Sequence, residues 1–293
     1  MLKDITLGQY YRANSVIHRL DPRIKLVGSL VYMVSLFLFN NLISYTAAAL
    51  FLFFIIGLSK VPLSFMLRGM KTVIFIMVFT VIYNVFMGTG TVIAEFWYFR
   101  ITYEGILNAA CMFVRLFLLI VGSSLLTLTT TPNQLTDGLE SLFSPLKIFR
   151  VPVHEMAMMM SIALRFIPIL MEETDKIMKA QIARGADLES KNIFVRVKGL
   201  LPILVPLFIS AFRRAGDLAL AMEARCYHGG KGRTRMRVMR LMIRDYISIL
   251  ILAAYLAGMI LLGIRCKGFM EYLVPELQEL AGALKGIIHS LKC

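Results

Sequence analysis

Two arginines stand in matching surroundings. Residues 180–185 read Ala-Gln-Ile-Ala-Arg-Gly and residues 221–226 read Ala-Met-Glu-Ala-Arg-Cys. Both fit Ala-x-x-Ala-Arg followed by a small residue, 41 positions apart, and each falls at the predicted end of a long helix. The chemistry on offer is recognition rather than reaction. The alanines (Ala183 and Ala224 beside the arginines) let another surface approach closely, and Gly185 can take the left-handed conformation that ends a helix. The guanidinium presents a rigid five-donor fork to carboxylates or carbonyls. Two copies predict two similar receptors, as a dimeric partner offers. The string alone is common in helices, so its context must carry the assignment.

Residue types that would carry catalysis are scattered. His18, His154, His228 and His289 form no H-E-x-x-H, and no G-x-S-x-G is present. Gly230-Lys231 is followed by Gly232 and preceded five positions earlier by Arg225, so no G-x-x-x-x-G-K-[ST] exists to cradle a phosphate. Those glycines read instead as the end of a helix and the start of a basic turn. Cys226 and His228 are two apart, but a metal site needs two more ligands that nothing nearby supplies. Cys111, Cys226, Cys266 and Cys293 contain no C-x-x-C and predict no disulfide framework. Glu172-Glu173 are adjacent on a predicted helix, so their side chains diverge and read as a solvated face. No catalytic residue, cofactor or metal is expected.

The elements that must position the arginines follow from composition. Of 293 residues, 58% are hydrophobic and only 17% charged, against roughly half and a quarter in ordinary globular chains. Mean hydropathy is +0.73. The apolar residues cluster in runs, which predicts an all-α polytopic membrane protein. Residues 1–25 are charged and lack an apolar core, so no signal peptide is expected. Residues 26–59 are uncharged over 34 positions, too long for one helix across a hydrocarbon core of about 30 Å. Asn40-Asn41 near the middle predicts a tight hairpin of two short spans. Residues 72–94, roughly 105–130 and 246–264 supply three more, for five in all. Arg115 interrupts the fourth run; it either faces the helix bundle or a wet cavity, or snorkels from a helix that starts later.

Net charge is +14, from 32 Lys and Arg against 18 Asp and Glu. In a membrane protein this reads as positively charged cytoplasmic loops rather than nucleic-acid binding. Residues 1–25 hold five Lys and Arg and segment 131–245 holds eighteen, while 95–104 has one Arg and two Glu beside Trp97, Tyr98 and Tyr103. The N-terminus and segment 131–245 are therefore expected in the cytoplasm and the C-terminus outside. Apolar stretches at 156–171 and 199–212 invite two further spans. The second is only 14 residues with Pro202 and Pro206, and two extra spans would strand Lys176, Lys179, Arg184, Lys191, Arg196 and Lys198 outside. The reading is two long helices, about 153–184 and 200–225, on the cytoplasmic side. The expected domains are 1–130 with four spans, a coupling domain over 131–244, the fifth span at 245–266 and a tail at 267–293. Met156, Met158, Met159, Met160, Met171 and Met178 crowd the first long helix; they suit either a surface that re-packs against partners or core filler.

With these features in place the chain resembles the transmembrane T component of energy-coupling factor transporters, a family that includes the Q-type permease of cobalt uptake systems. The two Ala-Arg-small strings resemble the family's paired Ala-Arg-Gly signatures. Ser15-Val16-Ile17-His18-Arg19-Leu20-Asp21-Pro22-Arg23-Ile24-Lys25 is similar to the family's approach to its first span. Thr130-Thr131-Pro132, Pro145-Leu146 and Arg165-Phe166-Ile167-Pro168 with Glu172 also stand where family members have such residues. The likeness covers about residues 8–228. Cys226 departs from it, standing where the second signature has glycine, which puts an identical helix ending there in question.

The resemblance implies a coupling subunit of an ABC-type importer in the cell membrane. Two cytoplasmic ATPase subunits would each receive one tip, Ala183-Arg184-Gly185 in one groove and Ala224-Arg225-Cys226 in the other. The long helices would pass ATP-driven motion to a separate substrate-binding membrane subunit carrying a vitamin or a cobalt or nickel ion. Asp21, Pro22, Arg23, Arg115, Pro132, Arg165 and Pro168 would then serve structure or coupling. The chain itself would be no enzyme. Two rival classes are a permease subunit of a conventional ABC transporter with its own substrate path, and a membrane enzyme, for which no polar cluster beyond Arg115 is found.

Overall fold

The computed structural model of the chain describes residues 10–39, 41–69, 71–87, 92–96, 99–186, 193–230 and 241–265. The described residues fall into two compact units, one of residues 10–131 with 241–265 and one of residues 132–230. Apart from one short hairpin, every element in them is helical.

In the first unit, Asp21 opens α1 (Pro22–Leu38). Its Oδ1 accepts the Arg23 N–H at 3.0 Å, and Pro22 at the first helical turn leaves no N–H to satisfy. Helix α1 stops at Leu38 and α2 (Leu42–Ser59) begins after Asn41, so the uncharged run divides into two short helices. Asn40 lies outside the described residues. Helices α3 (Leu63–Gly69) and α4 (Lys71–Met87) follow. The third apolar run, expected to stay helical to 94, does not: Val92–Phe96 (β1) pairs antiparallel with Phe99–Thr102 (β2). Helix α4 ends at Met87, just before Gly88-Thr89-Gly90, and β-branched Thr91-Val92-Ile93 suits an extended backbone. Trp97 and Tyr98 lie outside the described residues.

Helix α5 (Tyr103–Thr129) is the spine of this unit and packs on α1, α2, α3 and α4. Its Leu118, Val121, Leu125 and Leu128 meet Tyr32 and Leu36 of α1 and Tyr45, Ala48 and Leu52 of α2 in one buried cluster. Helix α9 (Ile243–Arg265) adds Met259 to that cluster. Its Tyr255 ring stacks on Phe51 at 4.1 Å and its hydroxyl sits 2.8 Å from Ser35 Oγ. Outward faces are apolar instead of polar: Leu30, Val34, Phe37, Leu50, Phe53, Phe54, Phe75, Phe79, Leu250 and Leu261 are all exposed. That inversion is what a lipid-facing surface requires.

In the second unit, α6 (Pro132–Leu142) and a 3-10 turn (Ser144–Phe149) lead into α7 (Val153–Ala183) and α8 (Ile193–Ala224). The first long helix matches its expected bounds within a residue. The second begins at Ile193, seven residues earlier than expected, and carries Pro202 and Pro206 inside it. Pro206 has no N–H for the Pro202 carbonyl, and Gln181 Nε2 of α7 donates to that carbonyl at 3.4 Å instead. Among the described helices, Gly105–Thr129, Val153–Ala183 and Ile243–Arg265 are long and apolar enough to cross a bilayer, and Ile43–Ser59 and Val73–Phe86 are shorter apolar helices. Helix α7 thus meets a spanning helix's length and composition, although the loop charges predict it on the cytoplasmic side.

Candidate functional site

The two strings end their helices with the same wiring. At the α7 end, the Arg184 N–H donates to Gln181 O at 3.1 Å, the Gly185 N–H to Ile182 O at 2.9 Å and the Ala186 N–H to Gln181 O at 3.0 Å. At the α8 end, the Arg225, Cys226 and Tyr227 N–H groups repeat this onto Met222 O, Glu223 O and Met222 O at 3.1, 2.8 and 3.1 Å. Each bond is displaced from its counterpart by the spacing of the two strings. Both are Schellman endings, which require a left-handed residue just past the cap. Gly185 has φ +87° and Cys226 has φ +56°. The cysteine thus adopts the conformation of the glycine it replaces, at a backbone cost of about 1–2 kcal/mol.

All six residues of the two tips, Ala183, Arg184, Gly185, Ala224, Arg225 and Cys226, are exposed. Neither tip arginine bonds a side chain among the described residues. Three contacts set how the helices carrying them run. Gln181 meets Pro202, Arg214 Nη2 donates to Glu173 Oε2 at 2.9 Å, and Gly230 lies against His154 so closely that a Cβ there would sit 2.4 Å from the imidazole Cδ2. As position rises on one partner it falls on the other, so α7 and α8 run antiparallel. Arg184 and Arg225 therefore stand at opposite ends of the helix pair. The turn after the second tip is held from below, since His154 Nδ1 is 3.0 Å from Glu140 Oε1 of α6. Sequence reasoning read Glu173 as solvated and passed over Arg214, His154 and Glu140. The only signal was a doubled arginine, Arg213-Arg214, following the doubled glutamate Glu172-Glu173 at the same spacing as the two strings.

The other expected residues are not brought to the tips. Asp21, Pro22 and Arg23 form the start of α1, where the Asp21 N–H also donates to Asp245 Oδ1 of α9 at 3.0 Å. Asp245 in turn accepts the Met242 N–H at 2.7 Å. Beside them, buried Lys25 donates to His18 O at 3.2 Å and to Thr129 O, a carbonyl at the end of α5, at 2.9 Å. His18 Nε2 lies 3.0 Å from Tyr11 O and Nδ1 lies 2.7 Å from Ser15 Oγ. A carbonyl only accepts, so Nε2 carries the proton. Burial pushes the imidazole below its ordinary value, the Tyr11 carbonyl opposes that shift, and Lys25 adds to it. Arg115 faces the bundle: it donates from Nε to Tyr45 Oη at 2.8 Å and lies over the Phe37 and Tyr45 rings at 5.8 and 5.6 Å. Pro132 begins α6; Arg165 and Pro168 lie exposed along α7, away from its tip.

Several apolar helices, among them three long enough to cross a bilayer, define an all-α multi-pass membrane protein. The family model described as cobalt transport protein, CbiQ, matches residues 13–236. Energy-coupling factor transporter transmembrane protein EcfT of Clostridium kluyveri is 54% identical over 252 residues, covering 85% of this chain and 93% of that protein. The EcfT proteins of Ruminiclostridium cellulolyticum and Bacillus subtilis are 51% and 46% identical, covering 89% and 87% of this chain and 98% of each relative. The chain belongs to the EcfT family of energy-coupling factor transporter transmembrane proteins.

Proposed function

We propose that this chain couples ATP hydrolysis by two cytoplasmic ABC ATPase subunits to a separate substrate-binding membrane subunit that imports a vitamin or a cobalt or nickel ion. The observation that carries the reading is the pair of identically wired, exposed arginine tips at opposite ends of α7 and α8. Each tip offers a guanidinium fork to one ATPase groove, and the two grooves of an ATPase dimer match two copies of one motif. The membrane unit anchors the assembly, and ATP hydrolysis stays with the partners.

A broad apolar face supports the third partner. Leu200, Leu201, Leu204, Val205, Phe208 and Phe212 lie exposed on α8. An uncovered surface of this kind marks a protein or membrane interaction site. Under this reading the N-terminus and residues 131–244 lie in the cytoplasm and the C-terminus outside. Helix α7, despite its apolar character, lies along the membrane's cytoplasmic face, because Glu172, Glu173, Asp175, Lys176 and Lys179 crowd its C-terminal half.

The test is capture of the ATPase subunits by the tagged, detergent-solubilised chain, comparing wild type with the Arg184→Glu/Arg225→Glu variant. Unpairing such a fork from its partner costs roughly 2–5 kcal/mol, so the double variant is expected to lose the ATPases. Equal retention by both proteins overturns the docking assignment.

A further inference from the structure

Glu173 stands eleven residues before Arg184, and Arg214 stands eleven residues before Arg225. The one ion pair described between α7 and α8 therefore joins the same position of the two repeats. Where antiparallel helices meet at equivalent positions, the pair has a local two-fold axis, and here that axis passes through the Glu173–Arg214 contact. Eleven residues are about three helical turns, so each tip lies about 16 Å along its helix from the contact, close to the same face. The two tips are thus equidistant from one bond.

The sequence at the crossing is charge-complementary. Glu173 on α7 faces Arg214 on α8, although the helices end in near-identical strings. A crossing of α7 on a second α7, or of α8 on a second α8, would set like charges opposite each other. The bond joins one guanidinium nitrogen to one carboxylate oxygen, at 2.9 Å, with both side chains partly exposed. Of the three contacts between these segments, the ion pair alone lies on the axis, while Gln181–Pro202 and His154–Gly230 lie off it, so a change in crossing angle strains those two and spares the ion pair. Sliding by one turn would break it.

We propose that Glu173 and Arg214 are positioning residues that fix the crossing point of α7 and α8, so that the helices swing about it without slipping and the two tips keep equal reach. The proposal rests on reading the tips as ATPase docks, and its test separates the two. Spin labels are placed on noncanonical residues at Lys179 and Leu220, which are exposed and stand at equivalent positions of the two repeats. Pulsed EPR then reads the distance between them in the full complex isolated through the tagged chain. Wild type and the Glu173→Arg/Arg214→Glu exchange are expected to give one narrow distance. Glu173→Arg and Arg214→Glu alone are expected to lose the narrow peak, with Glu173→Gln and Arg214→Gln as milder variants should reversal prevent assembly. Single variants that keep the narrow peak, or an exchange as broad as the singles, overturn the crossing-point assignment. ATPase capture by the same variants reports on docking independently: retained ATPases with a broadened distance separate a failed crossing point from a failed dock.

Discussion

At the scale of single residues, the second tip shows a backbone conformation overriding a residue's preference. Cys226 sits at φ +56° because the Schellman bonds of Cys226 and Tyr227 hold it there. Cys226→Gly is expected to stabilise that ending by about 1 kcal/mol, read as slower amide exchange at Cys226 and Tyr227. Gly185→Ala is expected to do the opposite at the first tip: a Cβ meets nothing within 4 Å there, but φ is +87°. His18 supplies a pH prediction. Its folded form titrates below the unfolded 6.5, so between the two values only the unfolded chain takes up the proton. Stability is therefore full above pH 6.5 and falls as pH drops through 6.5 toward the folded value. Thermal unfolding in detergent on either side of that pH checks it, with His18→Gln expected to flatten the slope. Glycine after an arginine can be read from sequence as a helix stop; cysteine doing the same cannot, because neighbouring carbonyls impose it.

At the scale of elements, hydrophobic runs located most helices, since a run free of charge is what lipid tolerates. The errors fall where a local rule met a specific contact. Helix α8 starts seven residues earlier than expected and holds Pro202 and Pro206 within it, the carbonyl freed by Pro206 being taken by Gln181 from the neighbouring helix. The run after Met87 was apolar enough for a helix but is β-branched and follows a Gly-Thr-Gly break, and it pairs as a hairpin. Within the first unit, α1 and α5 approach closely at Gly122, where an added Cβ would lie 2.8 Å from the Tyr32 ring. Tyr32 is buried against Phe51 and Tyr255 and has little room to retreat. Gly122→Ala is expected to cost about 1–3 kcal/mol, and combining it with Tyr32→Leu is expected to recover part of the loss in thermal unfolding.

At the scale of the molecule, the first unit is closed by groups far apart in the chain. Asp21 and Asp245 are joined across 224 residues, and Lys25 reaches the end of α5 across 104. Lys25→Met is expected to leave two carbonyls short of a donor, at about 1–3 kcal/mol, and to loosen α1, α5 and α9 together in amide exchange, whereas damage confined to α1 would contradict a shared junction. Membrane class, helix positions and the two arginine strings needed only the order of residues, because lipid exclusion and helix-ending chemistry act over a few neighbouring positions. Partners across the fold were settled by tertiary structure alone: Asp245 for Asp21, Tyr45 for Arg115, Arg214 for Glu173. Each pairing depends on which faces meet after the helices pack, and no spacing along the chain encodes that.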